Sequence, residues 1–393
     1  MPAPPSPAPL RVAIVHDWLD TWRGGESALA EVIAVYPQAD LFALVDFLPD
    51  AQRSRILGKR AHTSFLQRVP GAARHFRALL PLFPRAIESL DVADYDLVIS
   101  ISHAVAKGVR THERQLHICY CLTPMRYAWD LRETYLASAK ALRGPKRLMA
   151  NAVLDRLQRW DFDATPRVDQ FIAISEFIRT RIRHCYAVEA TVIHPPVDVD
   201  FFTPGASSSS RLTYCTASRW VAYKRLDLMV EAFRELPRHR LVVAGDGPEL
   251  RRARRRAGPN VEFLGEVSRE RLRLLLRESR AFIFAAEEDF GIAPVEAQAC
   301  GTPVIAFGRG GAAETIRGPD AAQPTGAFFT VQSADAIRAA ILAFEQRGVT
   351  TTAEACRANA ERFAPELFRE RLAGQVGMAL AAFRARQVAP LPC

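Results

Sequence analysis

The strongest constraint on this chain is an alternation between short, continuous apolar runs and stretches with helical character. RVAIVH (11–16) precedes a helical stretch over 25–36; DLFALV (40–45), YDLVISIS (95–102), LHICYC (116–121) and DQFIAIS (169–175) follow in turn. Unbroken apolar runs of strand length suit strands buried on both faces, as in a parallel sheet covered by helices. A second series opens with RLTYCTAS at residue 211 and continues through RLVVAG (240–245), VEFLG (261–265), AFIFAA (281–286) and PVIAF (303–307). Between the two, TPGASSSS (203–210) has no apolar periodicity and reads as a linker. A chain of 393 residues is long enough for two separate cores. The expectation is an α/β chain of two doubly wound domains, 11–202 and 211–365, with a last helix over 366–386 crossing back onto the first.

Composition narrows the function classes. No apolar run approaches the roughly 18 residues of a membrane span, and the Pro/Ala-rich start is unlike a secretion signal, so a cytoplasmic location is expected. The seven cysteines are scattered without a CxxC pair or a partnering histidine cluster, which predicts reduced thiols and no metal site. A net charge of +9 implies an anionic partner without choosing among nucleic acid, acidic lipid and a phosphorylated substrate. The run RRARRR (251–256) continues a helix and lacks stacking aromatics or a nucleic-acid module, so it reads as a solvated face and no nucleic-acid partner is expected. The stretch 65–90 mixes Arg68, Arg74, Arg77 and Arg85 with Phe65, Phe76, Leu79, Leu80 and Phe83. It fits an amphipathic helix packed on the sheet and equally a segment lying on an anionic bilayer.

The chemistry concentrates in loops that follow strands. EDFGIAPVEAQACG (288–301) comes directly after AFIFAA. A helix starting near Ile292 offers free N–H groups and the positive end of its dipole to a phosphate, and Phe290 and Gly291 sit where backbone approaches a ligand. Glu288, before the turn, and Glu296, about one helical turn in, are placed to accept hydrogen bonds from sugar or ribose hydroxyls. The segment 217–233 puts Arg219 and Lys224 in the first strand–helix loop of the second domain, where two cations neutralise a diphosphate. GDGPE (245–249) and GEVSRE (265–270) open helices on the same edge. In the first domain HDWLDTWRGGES (16–27) carries Gly24 and Gly25 at a helix start, with His16 and Asp17 as acceptor contacts, and His103 follows the strand YDLVISIS.

The segment 288–301 resembles the signature of the retaining glycosyltransferase family 4, and the resemblance runs from residue 11 to about 383, strongest over 217–314. It implies the GT-B fold, two Rossmann-like domains facing each other across a cleft that holds a nucleotide-sugar donor. By the same resemblance Glu288 lies against the transferred sugar and Glu296 binds the ribose. The amides of Phe290, Gly291 and Ile292 meet sugar and phosphate, Arg219 and Lys224 hold the diphosphate, and the base lies near Val267. Gly25 reaches the donor diphosphate and His103 stands near the anomeric centre. TPMRYAWD (123–130) resembles bacterial mannosyltransferases of surface polysaccharides, which points to GDP-mannose, with Arg126 and Tyr127 on the acceptor. The expected activity is hexosyl transfer with retention, needing no metal or other cofactor, to a saccharide or lipid-linked acceptor. Peripheral contact with the cytoplasmic face of the inner membrane is the extension a lipid-linked acceptor requires. A UDP-hexose donor, a sugar-nucleotide epimerase of the same fold and a silent nucleotide-sugar-binding partner are the alternatives.

Overall fold

The computed structural model describes residues 10–22, 24–130, 132, 133, 136, 144–205, 213–346 and 351–388. It divides into two compact units, one of residues 1–195 with 368–393 and one of residues 196–367.

The first unit is built on a seven-stranded sheet: β1 (Val12–His16), β2 (Asp40–Ala43), β3 (His62–Thr63), β4 (Leu97–Ser102), β5 (Leu116–Cys121), β6 (Gln170–Ala173) and β7 (Ala190–Val192), in spatial order β3-β2-β1-β4-β5-β6-β7. Neighbouring strands are parallel throughout. Every residue of β1, β4 and β5 is buried, which is why those runs carry no polar alternation. The helix Gly24–Val35 buries Ala28, Leu29, Val32 and Ile33, a spacing that lines one helical face.

The second unit repeats the plan with six parallel strands, β8 (Thr213–Ala217), β9 (Arg240–Ala244), β10 (Val261–Gly265), β11 (Ala281–Phe284), β12 (Val304–Phe307) and β13 (Gly326–Phe329), in order β10-β9-β8-β11-β12-β13. Its core joins the strand residues to Leu226, Met229, Val230 and Phe233 of the helix Leu226–Arg234 and to Ile337 and Ile341 of the helix Ala334–Gln346.

Two features differ from the sequence reading, the unit boundary and the stretch 65–90. The units part at Pro195/Pro196, ahead of the expected linker, of which 206–210 lie outside the described residues. Residues 196–202 belong to the second unit because Val197 N–H donates to the Phe363 carbonyl at 2.9 Å and Arg269 pairs with Asp198 at 2.6 Å. The last helix spans Pro365–Val388, with Phe368 onward assigned to the first unit, where Phe368 meets Tyr120 edge to face. The stretch 65–90 is not one amphipathic helix: it is four short helical pieces, Phe65–Arg68, Ala72–His75, Phe76–Leu82 and Phe83–Glu88. Pro70, Gly71, Pro81 and Pro84 interrupt it, each denying a helix either a donor or a favourable conformation. Phe76 and Phe83 are core residues, whereas Phe65 and Leu82 are about two-fifths exposed, at 41% and 42%, beside exposed Arg68, Arg74, Arg77 and Arg85. Among the described residues, no helix is long and apolar enough to cross a membrane.

Candidate active site

In a doubly wound sheet the strand order reverses once, and the loops leaving the two strands at that point part to open a crevice at their carboxyl ends. In the second unit the reversal lies between β8 and β11. The loop after β8 supplies Arg219, which is exposed, and Lys224; the loop after β11 supplies Glu288. Lys224 Nζ and Glu288 Oε1 form an ion pair, with the two side chains only 14% and 16% exposed. The ammonium also lies 5.4 Å from the Tyr223 ring and 5.9 Å from that of Phe284, so apolar faces back the pair and strengthen it electrostatically.

Glycines let these loops pack backbone on backbone. A Cβ at Gly245 would stand 1.9 Å from the Ser218 carbonyl oxygen, and one at Gly247 would stand 2.3 Å from that of Trp220. Trp220, 1% exposed, donates its indole N–H to the Ala244 carbonyl at 2.9 Å, fixing the Arg219 loop against β9. On the other side, Gly311 N–H donates to the Glu288 carbonyl at 2.8 Å, and a Cβ on Gly311 would fall 2.3 Å from Phe290 Cα. This Gly310–Gly311 clamp escaped the sequence reading; the Gly-Gly pair after PVIAF, matching the pair after β1, is the signal that marks it.

Gly291, at φ +86°, turns the chain into the helix Ile292–Ala299. Phe290 is buried and packs edge-on against Phe363 at 5.4 Å, so its side chain anchors the turn and its backbone is what a ligand meets. The helix is held by a buried amide network: Gln298 Nε2 donates to the Thr315 carbonyl at 2.9 Å, and Asn359 Nδ2 donates to Gln298 Oε1 at 2.7 Å. Glu296, on this helix, is half-buried; burial lifts its carboxyl to about 7, with the Arg269 charge pulling it down and that of Asp198 adding to the rise. Val267 is half-buried in the loop after β10, just before Ser268 caps the helix Arg269–Glu278.

The first unit has its own reversal, between β1 and β4. There His16, Asp17, Glu26 and His103 converge. Asp17 is fully buried and accepts four consecutive main-chain N–H groups, from His103 (2.6 Å), Ala104 (3.0 Å), Val105 (2.6 Å) and Ala106 (2.7 Å), with His103 Nδ1 a further 2.9 Å away. Burial would raise this carboxyl, but the His103 charge and hydrogen bonds outweigh it and bring the carboxyl to about 2. For His103 burial acts downward, and Asp17, followed by Glu26, turns the net shift upward; Arg126 opposes it. The His103 side chain remains 31% exposed and meets the Trp18 ring edge to face at 4.5 Å.

His16 lies underneath. It is fully buried, 3.6 Å from Glu26 Oε1, with its ring centroid 6.3 Å from that of His103. Its burial under the Gly24–Val35 helix leaves no surface for the acceptor contact expected of it, and Asp17 likewise spends its carboxylate on main chain. Burial pushes the Glu26 carboxyl up, and His16 more than reverses this. Gly25 sits against Leu122: a Cβ there would be 2.9 Å from Leu122 Cδ1 and 3.9 Å from His16 Cε1. Arg126 and Tyr127 are half-buried on a loop whose Met125 and Ala128 belong to the core. The sequence residues thus gather into two clusters: Arg219, Lys224, Glu288, Phe290, Gly291 and Ile292 in the second unit; His16, Gly25, His103 and Arg126 in the first. Among the described residues no three of His, Cys, Asp or Glu converge as ligands for a metal ion.

Residues 201–363 match the family described as Glycosyl transferases group 1. Two curated relatives match part of the chain. The D-inositol 3-phosphate glycosyltransferase of Mycolicibacterium smegmatis is 31% identical over 203 residues, 46% of this chain and 45% of the relative. A GDP-mannose-dependent monoacylated alpha-(1-6)-phosphatidylinositol monomannoside mannosyltransferase of Corynebacterium glutamicum is 31% identical over 179 residues, 38% of this chain and 47% of the relative. The chain thus spans less than half the length of these relatives. Solved structures cover more of it: Anabaena HepE in complex with UDP has a TM-score of 0.68 at 16% identity, over 94% of this chain and 100% of that one. Sucrose-phosphate synthase from Thermosynechococcus elongatus has a TM-score of 0.69 at 20% identity, over 95% and 100%. The fold is therefore the GT-B type, with two Rossmann-like domains, and residues 201–363 are similar to the glycosyl transferases group 1 family.

Proposed function

We propose that the protein is a retaining hexosyltransferase that moves a sugar from a nucleoside diphosphate to an acceptor hydroxyl. The observation that carries this reading is the second-unit cluster: Lys224 and Glu288, 64 residues apart in sequence, meet at the sheet reversal beside the start of the helix Ile292–Ala299, inside the group 1 segment. Lys224, Arg219 and the first helical N–H groups neutralise the departing diphosphate, so side-chain cations carry that charge without a metal. Glu288 accepts from the sugar hydroxyls, Glu296 from the ribose, and backbone near Val267 meets the base. The bond from the anomeric carbon to the diphosphate oxygen breaks while a bond to the acceptor oxygen forms on the same face. The acceptor proton passes to the departing phosphate, and no covalent enzyme intermediate is required. His103, Arg126 and Tyr127 make the acceptor side.

The donor assigned first is GDP-mannose, supported by the Corynebacterium mannosyltransferase among the relatives and by TPMRYAWD. The acceptor class is a saccharide or lipid-linked saccharide of surface polysaccharide synthesis, with peripheral membrane contact through the exposed Phe65, Leu82 and arginines of 65–88. The deciding test is thermal stabilisation by GDP, UDP, ADP and their hexose conjugates, with and without EDTA, followed by acceptor-dependent release of nucleotide. Ligand binding to the folded chain must raise the melting temperature, by an amount that grows with the logarithm of ligand concentration over the dissociation constant. A GDP-selective, EDTA-insensitive shift supports the reading. A UDP-selective shift keeps the transferase and replaces the sugar, turnover without an acceptor makes the protein an epimerase, and binding with no turnover makes it a silent partner.

A further inference from the structure

The first unit holds a carboxylate with an unusual set of duties. Asp17 accepts from the main-chain N–H groups of residues 103–106 and lies 2.9 Å from His103 Nδ1, so five donors converge on two oxygens. A carboxylate has about four lone-pair sites, and this one is saturated by a single turn 86 to 89 residues away. The far end of that turn is fixed as well. Lys107, 1% exposed, pairs with fully buried Asp161 at 3.1 Å, and a Cβ on Gly108 would stand 2.4 Å from the Trp160 ring. Trp18 closes the remaining side of the His103 ring. Ala104, Val105 and Ala106 bury this turn in the core, and the imidazole of His103 at its start is the side chain it leaves partly exposed.

We propose that Asp17 is a positioning residue: by taking the Nδ1 proton of His103 while gripping the turn that carries it, Asp17 fixes the imidazole with Nε2 as the nitrogen offered to the acceptor. The inference rests on the transferase reading above and deepens its acceptor side. The groups facing His103 are Asp17, Glu26, His16, Trp18 and Arg126, and Asp17 makes a direct polar contact with the ring at Nδ1. A neutral His103 held by Nδ1–H leaves a lone pair on Nε2 to accept a hydrogen bond from the acceptor hydroxyl and so orient it, whereas the opposite tautomer would present a donor there.

The test has one arm that is independent of activity. Long-range proton–nitrogen NMR spectra of the full chain, labelled at histidine nitrogens, read the tautomer of His103 directly. The expected result is a neutral form with its proton on Nδ1, and a proton on Nε2 overturns the proposal even if no variant can be made. In the second arm Asp17→Asn is expected to lower kcat roughly 10- to 100-fold, the range for partners that orient a functional group, with donor KM unchanged. In a His103→Ala background the same change is expected to add no further loss. Equal losses in both backgrounds overturn the proposal, because Asp17 would then act other than through His103. Full turnover by His103→Ala removes the acceptor role of His103, and with it the proposed duty of Asp17, while leaving the donor site of the second unit to be judged by nucleotide binding.

Discussion

Lys224 and Glu288 illustrate what a residue pair can do when the fold brings it to a sheet reversal. Each is mostly removed from water, and each without the other would be a poorly solvated charge, so the pair is costly unless a ligand uses it. Lys224→Met is expected to cut kcat roughly 100- to 1,000-fold, the scale for losing one preorganised charge stabiliser, with the fold retained by thermal melting. Steady-state kinetics checks it. Glu296 yields a pH prediction. A carboxyl lifted from 4.5 to about 7 keeps its proton in the folded chain where the unfolded chain has lost it, so folding weakens as pH rises through that interval. Glu296→Gln removes the penalty. The melting temperature of that variant should exceed the parent's well above pH 7 and equal it below pH 4.5. At this scale the loop that carries Glu288 into the helix Ile292–Ala299 was legible, because EDFG…E is a local spacing that survives in one dimension. The clamp of Asp17 was not, since its meaning lies in main-chain N–H groups that leave no mark in composition.

Among elements, the inner strands declared themselves and the short ones did not. β1, β4 and β5 are buried at every position, so their sequences are continuously apolar. HT at β3 and ATV at β7 sit at sheet edges with part of their surface exposed, and so lack that signature. The broken stretch 65–88 was misread because its arginines and phenylalanines fit an amphipathic face, while the prolines that divide it act through backbone geometry. Helix and loop glycines give opposed predictions. Gly374 and Gly377 lie exposed in the helix Pro365–Val388 with nothing within 4 Å of a Cβ, and alanine at either should add about 0.5–1 kcal/mol of stability. Gly311→Ala must push the Phe290 turn aside, costing roughly 1–3 kcal/mol and weakening nucleotide-induced stabilisation. Chemical denaturation of the three variants decides both.

For the molecule as a whole, the net charge of +9 supplies a long-range attraction that the short-range contacts then specify. Exposed Arg68, Arg74 and Arg85 stand with Phe65 and Leu82 on one segment of the first unit. Co-sedimentation with vesicles rich in anionic lipid should be strong at low salt and largely lost as ionic strength rises from about 0.05 to 0.5 M, where the screening length falls from about 14 to about 4 Å. Arg74→Glu with Arg85→Glu should weaken it at low salt and leave nucleotide stabilisation intact. The two-domain plan was legible from alternation alone. The division at Pro195/Pro196 was not, because hydrogen bonds from residue 357 and beyond, which recruit 196–202 to the second unit, connect positions far apart in the chain.

The assignment of residues 368–393 to the first unit has a consequence for biogenesis. The second unit is a continuous guest lodged within a split host, so on the ribosome the guest is fully made before its host has received all of its parts. Phe368, Leu372 and Val376, all buried, are among the last core residues to emerge. Nascent chains arrested before residue 368 should therefore resist protease across 213–346 while remaining susceptible in the first 195 residues, and protection of the host should follow only when the closing helix is released.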